Sequence, residues 1–136
     1  MRDLLERVSV RSAILADATV SGAAGLLMLV AANPLGDLLD LPVMLLRIAG
    51  LIIVPYVGFL VFVATRSRIV TTSAWAVIGA NLLWTAGSII VLLSGHVDPN
   101  ALGVVFVLVQ AAVVALFAEL QFLALHGERS RGMSAA

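Results

Sequence analysis

The chain has 136 residues, of which 62% are hydrophobic and 12% charged; its eight basic residues are all arginine and balance eight acids to a formal net charge of zero, and the mean hydropathy is +1.13. A water-soluble domain this small leaves too much surface exposed to hide so much apolar side chain, so the chain belongs in a bilayer. Without cysteine there are no disulfides, thiolate nucleophiles, iron–sulfur ligands or cysteine-based zinc sites, and without lysine there is no Schiff base to retinal, pyridoxal phosphate or a carbonyl substrate.

The opening "MRDLLERVSVR", residues 1–11, sets Leu4, Leu5 and Val8 on one helical face and charges on the other. That pattern suits a cytoplasmic segment lying in the membrane interface, or the frayed start of a span. Apolar runs follow at residues 12–32, 43–64, 73–93 and 102–125, each near the ~20 residues that cross the hydrocarbon. They predict an all-α, antiparallel bundle of four transmembrane helices over residues 12–126. "LVAA" before Asn33 offers small residues to a signal peptidase, but the run is longer than a signal core and Asp3 and Glu6 interrupt its leader, so no cleavage is expected. The connectors "NPLGDLLDLP", "TRSRIVTT" and "SGHVDPNA" are short and rich in breakers. Residues 127–136 read as a flexible cytoplasmic tail.

Arginine is one-sided. Arg2, Arg7 and Arg11 precede the first span, Arg66 and Arg68 fill the middle connector, and Arg129 and Arg131 follow the fourth, while the other two connectors hold none. The positive-inside rule therefore places both termini in the cytoplasm of a multi-pass protein. Abundant Ala, Leu, Val and Arg without lysine suits a GC-rich bacterium, hence a bacterial cytoplasmic (inner) membrane. A weak self-similarity at an offset of 62 to 63 residues aligns Arg47 with Gln110 and Tyr56 with Glu119, which suggests a parallel repeat of two helical hairpins.

An ionisable group inside a span costs about 2.5–3.5 kcal/mol on insertion scales and marks a functional site unless it reaches water. Asp17, Tyr56, Asn81 and Glu119 fall at similar depth, one per span, and form a candidate ligand-binding layer in the cytoplasmic half. A candidate outer polar layer contains Arg47, Ser88 and Gln110, with Trp84 near mid-bilayer. At about 100° per residue, Asp17 shares a stripe with Ser21, and Asn81 with Thr85 and Ser88. Gln110 and Gln121 also share one, with Glu119 nearly opposite both. Either a wide cavity or a second subunit must then cover one polar face. Each residue also has a plain role: Arg47 can lift its guanidinium to the headgroups, the amides and hydroxyls can join helices, and the carboxyls can hydrogen-bond across the bundle. Trp84 and Tyr56 read as core packing whose polar tips need partners.

"ILADATVSGAAGLLML", "GLIIVPYVGFLVFVATR", "ANLLWTAGSIIVLL" and "FVLVQAAVVALFAELQFLAL" together resemble small bacterial four-helix integral membrane proteins. That resemblance implies a fold and no activity or residue roles. The expectation is a non-enzymatic bundle that self-associates or binds a partner membrane protein. The alternative is a carrier or receptor for a small lipophilic or cationic molecule. An enzyme using Asp17 and Glu119 as acid and base ranks last, since no nucleophile beside a base, metal cluster or phosphate loop is visible. No cofactor, metal or nucleic acid is expected; the bilayer itself is the first partner.

Overall fold

The computed structural model describes the backbone of residues 9–135 and the side chains of residues 9–128. The amphipathic pattern at Leu4, Leu5 and Val8 lies outside the described residues. The helices are α1 (Val10–Val30), α2 (Ala32–Leu39), α3 (Val43–Thr65), α4 (Thr71–Leu93) and α5 (Ala101–Ala135), with no strand among the described residues. Four of them, all but α2, are long and apolar enough to cross a membrane, as in a multi-pass membrane protein. Their outward faces are apolar too: Val30, Leu83 and Leu93 are 78%, 76% and 81% exposed, which only a lipid solvent tolerates at this density.

α1 packs chiefly on α3 and α4 on α5, giving two hairpins. α1 also touches α5, whereas α3 and α4 barely meet. The first hairpin closes through glycine: a Cβ on Gly25 would stand 2.6 Å from Ile53 Cγ2, and one on Gly50 2.7 Å from Leu29 Cγ. Small residues at such crossings let backbones approach where apolar side chains alone give little drive. One buried cluster, including Ile14, Leu60, Val77 and Leu125, fills the end that holds the start of α1. A second, including Met28, Leu39, Leu46 and Val107, lies toward the opposite end.

The two ends are tied differently. At the first, the Ser9 hydroxyl accepts the amide of Ser12 at 3.0 Å and the Glu128 carboxylate accepts that of Val10 at 3.0 Å, covering free donors at the α1 N-terminus. The Arg11 guanidinium donates to the carbonyls of Ala64, of Arg66 at 2.7 Å and of Ser67 at 3.4 Å, which satisfies the end of α3. At the other end, the predicted first connector is largely helical. Pro34 is tolerated in the first turn of α2, where its missing amide is not needed. Asp40 ends the helix in the left-handed region at φ 53°, and the Leu41 amide donates back to Gly36 O at 3.2 Å. Asn100 staples α2 to α5: its side chain donates to Leu38 O at 2.8 Å, its backbone to Leu39 O at 3.2 Å, and its Oδ1 accepts the Gly103 amide at 2.8 Å. α5 itself runs on to Ala135.

Candidate functional site

Asp17 is fully buried between the hairpins and gathers side chains from every spanning helix. Ser21 donates to its Oδ1 at 2.8 Å, one turn along α1. Its Oδ2 receives Asn81 Nδ2 from α4 at 2.8 Å, Gln121 Nε2 from α5 at 2.9 Å and lies 3.1 Å from the Tyr56 hydroxyl on α3. Asn81 also donates to Gln121 Oε1 at 3.0 Å, and its own Oδ1 accepts from Tyr56 at 2.8 Å. Tyr56 thus has one hydroxyl hydrogen facing two acceptors. Its bond to Asn81 joins α3 to α4, whose backbones hardly touch. Pro55 precedes it within α3 and removes one helical hydrogen bond at this turn.

Three of the four residues expected in this layer are therefore together, and Glu119 is not. α5 turns Glu119 outward to an exposed position and brings Gln121 in, 1% exposed. Two residues along a helix are roughly 200° around it, so one helix cannot offer both to the same centre. The sequence signal for Gln121 was its spacing of eleven residues from Gln110, which returns to nearly the same face. In the expected outer layer, Gln110 and Ser88 meet: Gln110 Nε2 donates to Ser88 Oγ at 3.0 Å and to Val107 O at 2.9 Å, while its Oε1 accepts Trp84 Nε1 at 2.8 Å. Arg47 is not part of that group. It is exposed near the start of α3 and reaches Asn33 Oδ1 at 3.3 Å.

Between these two polar groups and α2 lies a slot of about 670 Å³. Tyr56, Asn81 and Ser21 form its floor, Trp84 and Gln110 stand in one wall, and Leu35, Leu38 and Leu39 of α2 roof it. The remaining lining is aliphatic or aromatic, and it contains no ionisable group other than the Tyr56 phenol. Asp17 sits behind the floor and does not reach the slot. The hairpins are thus pinned at the Asp17 cluster and at the Asn100 staple, and stand apart between. Asp17 and Glu119, buried and outward-facing respectively, form no acid/base pair, and no group of three metal-ligating side chains occurs among the described residues.

No protein-family model, curated protein or solved structure matches the chain. The functional reading therefore rests on the site.

Proposed function

We propose that the protein is a membrane carrier or receptor that holds a small lipophilic molecule in the slot between its hairpins. The supporting observation is the slot itself, whose volume of about 670 Å³ falls within the ~300–1,000 Å³ of small-molecule sites. Interiors pack at crystal density when packing is their only task. Here Ala24 and Ala80 line open space that a larger side chain would fill. The arginines support a topology with both termini in the cytoplasm, which puts the slot toward the outer leaflet of a bacterial inner membrane. Native mass spectrometry of the protein released from its own membrane tests this reading. A bound mass is expected on the natural chain and absent from Ala24→Phe and Ala80→Phe. The same spectrum from all three chains rejects it.

Glu119 favours a second reading, self-association or docking of a partner membrane protein on α5. An outward carboxyl in a span carries the insertion cost of about 2.5–3.5 kcal/mol unless a neighbour shares it. Ala112, Leu116 and Leu123 are exposed at helical spacing on either side of it. Energy transfer between labelled chains in dilute liposomes is expected to report association that Glu119→Leu abolishes. A natural chain that stays monomeric there excludes self-association.

A further inference from the structure

Given the small-molecule reading of the slot, on which this step rests, the geometry points to a ligand recognised by its hydrocarbon chain: the acyl or isoprenoid tail of a bilayer amphiphile, entering sideways from the lipid. The walls carry the first argument. Val20 and Leu27 of α1, Leu38 of α2, Ile52 of α3 and Val105 and Val109 of α5 line the slot, yet each is 45–57% exposed. Apolar side chains that line the slot and stay this open mark openings toward the surrounding lipid, so the slot is reached sideways from the acyl chains.

The polar groups carry the second argument. Both amide hydrogens of Asn81 and both of Gln110 are already engaged, the Tyr56 hydroxyl has two acceptors, and Trp84 has Gln110. Among the described residues no buried side-chain nitrogen or oxygen lacks a partner. A headgroup that needs donors, such as a phosphate or carboxylate, would have to break one of these bonds, whereas a chain breaks none. A cation fares no better, because no carboxylate lines the slot: Asp17 is fully buried behind the floor, and Asp37 and Asp40 of α2 are exposed and outside the lining. Length agrees. Leu102 and Phe117 mark the ends of the lining on α5, and 15 residues at 1.5 Å each span roughly 22 Å. That exceeds the ~15 Å of one leaflet's share of the hydrocarbon core.

Trp84 lines the slot, while Trp75 is 42% exposed near the start of α4. The Trp75→Phe chain therefore leaves one reporter, to be placed in vesicles of phosphatidylcholine brominated on its acyl chains. Trp84 emission is expected to be lost relative to vesicles of the unbrominated lipid, and regained when Ala24→Phe fills the slot. Val113→Phe is a second filling variant, and circular dichroism in the vesicles selects the variants that stay helical. Emission that is never lost, or lost equally in the filled chains, overturns the chain assignment. Tetraphenylphosphonium, a lipophilic cation without a tail, separates the two levels. Binding of it that Ala24→Phe blocks, without a bromine effect, overturns the chain assignment but retains the slot as a binding site; no bound mass, no bromine effect and no such binding removes both.

Discussion

Asp17→Leu removes the acceptor on which four side chains converge, and the structure tells which of them suffer. Ser21 can turn its hydroxyl to the carbonyl one turn back in α1. Tyr56 keeps Asn81 Oδ1 at 2.8 Å, and Asn81 keeps one of its two bonds, to Gln121 Oε1 at 3.0 Å. Two amide hydrogens remain orphaned, one on Asn81 and the only engaged one on Gln121. Interhelical hydrogen bonds measured in membranes average about 0.6 kcal/mol and reach about 1.7, so the expected loss is roughly 1–3 kcal/mol. Asp17→Asn is different. Its carbonyl can take the Oδ2 position while its amide donates to Ser21, so every partner is kept and the loss should stay under about 0.6 kcal/mol, one such bond. Unfolding by steric trapping in bicelles, which leaves the bilayer environment intact, measures both. Two results refute the reasoning. If Asp17→Leu stabilises the protein, the desolvation of a carboxylate outweighs its hydrogen bonds. If Asp17→Asn is as harmful as Asp17→Leu, the site depends on the acid rather than on its acceptors.

A Cβ on Gly103 would stand 2.7 Å from Pro99 Cβ and closer still to the Leu39 carbonyl, so Gly103→Ala should cost about 1–3 kcal/mol and loosen the roof; Gly79→Ala, with nothing within 4 Å, is the neutral control in the same unfolding assay. Gln121→Leu should lower stability by about 1 kcal/mol or more, two membrane hydrogen bonds, whereas Glu119→Leu should not lower that of the monomer; a reversed order would show that α5 is rotated from the orientation described. Because the chain has no cysteine, single substitutions map topology directly. Ser67→Cys is expected to react with a membrane-impermeant maleimide only after cells are opened, and Asp98→Cys in intact cells; the opposite pattern inverts the orientation.

The spans were legible because lipid imposes one simple demand, apolar side chain over a fixed length. The expected ends fall within two residues of the observed ones, except at the C-terminus of α5. Rotation about each axis was harder to read, because a buried Leu60 and a 76% exposed Leu83 look the same to hydropathy. Only polar residues carry angular information here. On α5 they disagree: depth selected Glu119, whereas phase with Gln110 selected Gln121, and phase decides which group meets Asp17. Trp84 and Tyr56, expected to seek partners for their polar tips, found them in Gln110 and in the Asp17–Asn81 pair. α2 was hidden for a different reason. Its Asn, Pro, Gly and Asp are breakers in water, but in "ANPLGDLL" they fall where a short helix starts, packs closely or stops.

A carboxyl this deep need not serve the ligand to be indispensable. Acyl tails are as apolar as leucine, so hydrophobicity does not tell a spanning helix which neighbour to choose, and directional bonds must. Asp17 draws a donor from each of the other spanning helices to a single atom, which sets both their rotation and their depth. Committing the donors of Ser21, Tyr56 and Asn81 to that junction leaves the floor of the slot without a free donor. The same bonds that hold the hairpins together on one side of the floor thus make the other side hospitable to hydrocarbon. If this coupling is correct, Asp17→Leu should weaken retention of the bound mass even though Asp17 does not line the slot, and Asp17→Asn should not. Equal retention in both would separate the junction from the slot.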